Sequence, residues 1–290
     1  MKSILIIMGR KNTTELIDLI EQHKYAVFNQ NEFFNIWKDS KYIYGFKSMN
    51  LENFASYLIE SGLLTSESMV DNENGGFIEY GITERKPDIL DFAAARSRVS
   101  YFSYYTALSI HNLTLQIPKN IYLTYERSTP QYNNHLTQEG IDNAFNKAPR
   151  QTNNYRSIRN NRVYFINGRF NKRLGVIPFR DNLLVTDIER TLIDIVTRPF
   201  YSGGITQVIE AFANAKGNVS IQKLFQYYNK MRFTYPYHQA IGFYLEKAGY
   251  QEKDIIPFYK MEQNFKFYLT YNMPFKEFSP HWNLYYPKGI

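Results

Sequence analysis

The side chains able to do chemistry in this 290-residue chain are five histidines, 27 acidic and 34 basic residues, with no cysteine among them. His23, His111, His135, His238 and His281 are scattered, with no pair at the helical spacing that presents two imidazoles to one metal. Asp187, Glu189 and Asp194 could suggest a Mg²⁺-dependent nuclease, but three carboxylates would have to converge on one octahedral ion. Local structure explains them instead. Thr186 and Glu189 have the spacing of a capping box, Asp187 lies where a helix dipole favours an acid, and Asp194 can pair with Arg190 or Arg198. A Ser103–His111 pairing lacks the nucleophile elbow that acyl transfer uses, so His111 reads as a helix-end or packing residue. No glycine-rich phosphate loop occurs. Neither a catalytic residue nor a metal ligand is assigned, and no cofactor is expected.

The strongest signal is a basic tract. Lys147, Arg150, Arg156, Arg159, Arg162, Arg169, Lys172 and Arg173 follow one another with no acid between, and Tyr155, Tyr164, Phe165 and Phe170 are interleaved. Guanidinium groups bind phosphate bidentately and stack on bases, so the tract suits nucleic acid, or an acidic protein partner. Charge is uneven along the chain: residues 1–95 carry a net −5, residues 96–200 a net +8 and residues 201–290 a net +4. A polyanion is therefore drawn to the middle of the chain. Aromatics make up 17% of the residues, although Tyr, Phe, Asn, Ile and Lys are abundant together, as AT-rich coding also produces.

The elements that must position these residues divide into two domains, 1–95 and 96–290. The absence of cysteine excludes disulfides and thiolate metal sites and suits a reducing compartment. The apolar run Ser3 to Met8 is too short for a signal core, and no stretch approaches a membrane span, so a cytoplasmic protein with no membrane partner is expected.

In the first domain, caps at Asn12/Glu15 and Asn29/Glu32 open two helices, a turn at Gly45 follows, and a third helix runs from about Asn50 to Gly62. Leu63–Thr65 and Phe77–Tyr80 flank the polar turn Asp71–Gly76 as a hairpin. Three helices closed by a hairpin is the order of a winged helix-turn-helix, whose third helix would present Lys47, Asn50, Asn53, Ser56 and Tyr57 to a major groove. Acidic Glu67, Asp71 and Glu73 stand in its wing, where phosphate would lie.

Pro87 opens a connecting helix, and Ser100 is a candidate cap for the next. Strands are predicted at 121–124, 163–166 and 183–185, and helices at 186–198, 204–215, 220–231 and 235–248. The fold class is thus α+β: a winged helix followed by a larger mixed α/β domain with a central sheet flanked by helices.

Val99–Leu108, then His111-Asn112-Leu113 and Ile117-Pro118, resembles a conserved stretch of the AbiEi-type antitoxins. Thr186–Asp194, Arg198-Pro199 and Gly203-Gly204-Ile205 resemble a second, and Ile241–Glu246 and Trp282-Asn283-Leu284 are similar to the last. The likeness covers residues 85–290, with Asn112 standing where the family usually has glycine. It implies a non-enzymatic antitoxin that counteracts a nucleotidyltransferase-like toxin in an abortive-infection system. It also implies a transcriptional regulator that represses its own promoter by binding operator DNA through the winged helix. Nucleic-acid contacts are expected at Lys47, Asn50, Asn53, Ser56, Tyr57, Arg150, Arg156, Arg159, Arg162, Arg169, Lys172 and Arg173. Alternatives are a protein-interaction module or a metal-dependent nuclease.

Overall fold

A computed structural model describes residues 10–43, 46–71, 75–129, 135–180 and 182–290. In chain order the elements are α1 (Arg10–Glu21), β1 (Val27–Phe28), α2 (Gln30–Ile43), α3 (Leu51–Glu60), β2 (Leu64–Asp71), β3 (Gly75–Ile82) and α4 (Ile89–Ala95). Then come β4 (Tyr101–Phe102), α5 (Tyr104–Ile110), β5 (Asn120–Glu126), α6 (Gln138–Phe145), β6 (Tyr155–Ile158), β7 (Asn161–Gly168), β8 (Val176–Pro178) and β9 (Leu184–Thr186). The rest is α7 (Ile188–Thr197), α8 (Ile205–Asn214), α9 (Ile221–Met231), α10 (Tyr237–Lys247), α11 (Glu252–Tyr259), β10 (Phe267–Tyr268), β11 (Lys276–Ser279) and β12 (Leu284–Pro287).

Two compact units result, each discontinuous in sequence. The first takes the described residues up to Ser100 together with Tyr155–Val163 and Pro178–Leu183. Within it, β2 and β3 pair antiparallel from Leu64↔Ile82 to Asp71↔Gly75, β1 adds to β3, and β6 adds antiparallel to β2. Burial of Phe28, Phe33, Phe54, Leu58, Leu64 and Ile82 builds its core, because the apolar sides of α2 and α3 meet the hairpin there. The reciprocal box at Asn29/Glu32 forms as expected, with both hydrogen bonds 2.9 Å long. Asn12 lies inside α1 rather than at a cap, and Gly45 and Asn72–Asn74 fall outside the described residues.

Two other expected starts move. The box that opens α4 is Asp88 with Asp91, one residue beyond Pro87, and α5 is preceded by Ser103, whereas the Ser100 hydroxyl donates to Ser97.

In the second unit, the order β7-β5-β4-β9-β8 gives a mixed sheet, β4 running antiparallel to β5 and parallel to β9. A separate sheet has the order β10-β12-β11. Helix α7 is the pivot: Leu192, Ile193, Ile195 and Val196 are buried with Val208 and Phe212 of α8, Leu224 of α9, and Ile241 and Leu245 of α10. Gly242 of α10 lies directly under Trp282; a Cβ there would stand 2.0 Å from the indole, so no larger residue fits without displacing that fully buried ring. Gln239 fixes the same contact by donating to the Trp282 carbonyl at 2.8 Å. At the end of α5, Asn112 has φ 55, a left-handed conformation that glycine and asparagine tolerate and most residues do not.

Candidate functional site

The site grows out of α7. Its N-cap is Asp187, whose carboxylate accepts from the Arg190 amide at 2.9 Å. The capping box expected at Thr186 and Glu189 is overturned. Thr186 Oγ1 hydrogen-bonds Thr191 Oγ1 at 2.8 Å, and Glu189 is drawn away by the Ser220 amide at 2.8 Å and by Lys223 at 2.9 Å. Asp187 also holds Lys223, at 3.0 Å, and accepts from the Tyr227 hydroxyl at 3.1 Å.

One turn on, Arg190 meets Asp194 at 2.9 Å as expected, donates to the Leu174 carbonyl at 2.7 Å and to the Tyr101 hydroxyl at 3.3 Å, and lies 3.8 Å from Glu126. The Arg190 side chain is only 3% exposed. Burial alone would lower its pKa, but Asp194, Tyr101 and Glu126 more than offset this and hold the guanidinium charged. Burial raises Asp194 above the ordinary carboxylate value, against the pull of Arg190.

Asp187 and Glu189 thus share Lys223 while Asp194 is held by Arg190, and among the described residues no cluster of His, Asp and Glu could hold a metal ion. Ser103 shares a hydrogen bond with Thr124 at 2.7 Å, and His111 Nε2 donates to the Thr186 carbonyl at 2.6 Å, so the two residues do not face each other as nucleophile and base.

Beside the Arg190–Asp194 pair, the second unit has a cavity of about 670 Å³. Its lining includes Lys147, Arg150, Arg169, Arg190 and Arg198, a single carboxylate (Asp194), and the rings of Tyr104, Phe200, Phe233, Tyr235, Tyr237 and Tyr271. Because Arg190 and Asp194 neutralise each other, the cavity's character comes from the other four cations. Among the described residues none of those four forms an ion pair with a carboxylate. Arg169 donates to the Arg232 carbonyl at 2.7 Å, and Arg198 donates to the Tyr104 hydroxyl at 3.4 Å.

Tyr104 stands at φ 52, a costly backbone conformation for an aromatic residue, held by its burial. The aromatic side is fixed by its own packing. Tyr271 stacks on Phe145 at 4.4 Å, Tyr235 meets Phe145 edge-on at 5.3 Å, and Tyr235 and Tyr271 both stay partly exposed.

The basic tract is divided between the two units. Arg150 and Arg169 reach this cavity with Lys147, but Arg156, Arg159 and Arg162 belong to the first unit. There Arg156 pairs with Asp71 at 3.2 Å and lies over the Phe77 ring, Arg159 pairs with Glu67, and Arg162 lies 4.9 Å from the centre of the Tyr155 ring. Two of the residues expected to contact nucleic acid, Arg156 and Arg159, are thus ion-paired with the hairpin's acids. Lys172 and Arg173 are exposed after β7; Lys172 lines a second depression with Arg169 and Arg232, while the Arg173 amide donates to Glu126 at 3.0 Å.

On α3, Asn53 and Ser56 are exposed; Lys47 is exposed too but lies in the turn before the helix, not on it, and Asn50 is used as the N-cap, accepting from the Asn53 amide at 2.8 Å. Tyr57 is half-buried against Phe46, with ring centres 5.5 Å apart. The same helix also exposes Glu52 and Glu60. Sequence reasoning passed over Arg198, Tyr104, Tyr235 and Tyr271. An arginine just beyond a buried Arg–Asp helix, with no acid within four residues on its C-terminal side, was the available signal for the first of these.

Fold and site together define a mixed α/β protein whose second unit has a cationic, aromatic-lined cavity. It is similar in structure to the RV2827C protein from Mycobacterium tuberculosis, with a TM-score of 0.55 and 12% identity over 95% of this chain and 91% of that one, a likeness of fold alone. No family model matches the chain, and no curated protein matches it. Among the described residues no helix is long and apolar enough to cross a membrane.

Proposed function

We propose that the chain is a non-enzymatic regulator of the AbiEi antitoxin type, which binds operator DNA, represses its own promoter and counteracts a nucleotidyltransferase-like toxin. The observation that carries this reading is the group Lys147, Arg150 and Arg169, cations of the cavity without carboxylate partners among the described residues. Such a group has the charge to take phosphate oxygens.

The first unit supports the DNA-binding half through its order of helix, short strand, two helices and hairpin, with β1 completing a small sheet, as in a winged helix. Two of the three acids of its hairpin, Asp71 and Glu67, are neutralised locally by Arg156 and Arg159, which on that reading lessens their repulsion of phosphate. The agreement of the sequence with the antitoxin motifs supports the toxin-directed half.

The test is a mobility shift with the DNA upstream of the chain's own reading frame. Specific binding that weakens steeply as salt rises is expected, because each neutralised phosphate releases counterions. Failure to shift that DNA even at low salt removes the repressor.

A further inference from the structure

We infer that the second unit's cavity is a nucleotide site, taking a phosphorylated nucleoside either free or at the end of a nucleic-acid strand. The inference rests on reading this cavity as an anion site, and on neither repression nor a toxin partner.

Charge alone would suit any polyanion, so shape and wall chemistry decide the class. A volume of about 670 Å³ lies within the range of small-molecule pockets. A duplex backbone lying across the surface could reach the exposed Lys147 and Arg150, but not satisfy the half-buried Arg198. A ligand that enters the cavity reaches both. The rings of Tyr235 and Tyr271 line the cavity and stay partly exposed, each with one face stacked on Phe267 or Phe145. That leaves the opposite face for an unstacked base, which a duplex would keep within its own stack. Inorganic phosphate would use the cations and leave this aromatic wall without a role.

The floor is also preorganised: Arg198 is steadied by the Tyr104 hydroxyl, and Tyr104 holds its left-handed backbone beside the locked Arg190–Asp194 pair. Strain retained in the lining of a cavity is what a binding site tends to show, because the surrounding packing must impose it.

Calorimetric titration of the full chain with ADP, pyrophosphate and adenosine tests this. ADP is expected to bind at least about tenfold more tightly than pyrophosphate or adenosine, because only ADP uses both cations and rings. The double variant Lys147→Glu/Arg150→Glu changes exposed side chains and should fold normally, yet weaken ADP at least about tenfold. Tyr235→Leu should weaken ADP while leaving pyrophosphate unchanged. A short 5′-phosphorylated RNA that displaces ADP would identify a strand end as the source, and ADP binding unaffected by that RNA would identify the free nucleotide.

No heat from ADP at low salt, or ADP no tighter than pyrophosphate, overturns the nucleotide site. If operator DNA still shifts in that case, the repressor reading survives alone. ADP binding without a DNA shift leaves the nucleotide site standing and removes repression.

Discussion

Replacing Arg190 with methionine is expected to lower the unfolding free energy by about 3–5 kcal/mol, the usual consequence of stranding a buried partner's charge. Asp194 and Glu126 would both lose the guanidinium that faces them, in a site where their side chains are 9% and 7% exposed. The Leu174 carbonyl and the Tyr101 hydroxyl would lose a donor as well. The effect comes from the orphaned acids rather than from a large net gain in the intact pair, since desolvating two ions offsets much of their attraction. Arg190→Met/Asp194→Leu should therefore recover a large part of the loss. Denaturant unfolding of the two variants measures this, and a double variant no more stable than the single one would contradict it.

Glu79→Gln is expected to stabilise the protein near pH 8 and leave it almost unchanged near pH 5. Glu79 of β3 is 1% exposed, and among the described residues neither carboxylate oxygen has a hydrogen-bond partner. Burial pushes its pKa up to about 7; Arg98, Arg96 and Arg156 pull it down by less than burial raises it, and Glu32 adds to the rise. Between about pH 4.5 and pH 7 the folded chain thus holds a proton that the unfolded chain has released. Stability falls as pH rises through that window and levels off above it. The full difference is about 3 kcal/mol, from the shift between the two pKa values. Glutamine removes the ionisation while keeping the shape, so melting curves of the two proteins should diverge only as pH rises. Parallel curves from pH 5 to pH 8 would show that Glu79 ionises freely in the fold.

Much of the helical frame was legible because apolar residues recur at helical spacing in α3 and α7 to α10, and β5, β7 and β9 are short apolar runs. The Asn29/Glu32 box was legible because it is purely local. The box at Thr186 and Glu189 was misread because both Thr186 and Asp187 are competent caps, and the choice was made by Lys223 and Ser220, distant in sequence. The polar strand β6 left no periodic signal; it exists because β2 offers it an edge.

The same cause divided the basic tract. Arginines that follow one another in sequence look like one surface, yet Arg156 and Arg159 find acids 85 and 92 residues away. What remains of the tract converges with Arg198 and four tyrosines from other segments, a juxtaposition that no local pattern announces.

That division also changes which charges to alter. Reversing Arg156 or Arg159 would place an acid beside Asp71 or Glu67 and damage the first unit. Lys147, Arg150 and Arg169 are the informative positions. The decisive measurement is the salt dependence of operator binding for the wild type and for Lys147→Glu/Arg150→Glu/Arg169→Glu. If these side chains meet phosphate, the slope of log affinity against log salt should flatten by about 3, close to one for each cation removed. A slope unchanged by the three reversals would show that the second unit's cations do not carry the binding.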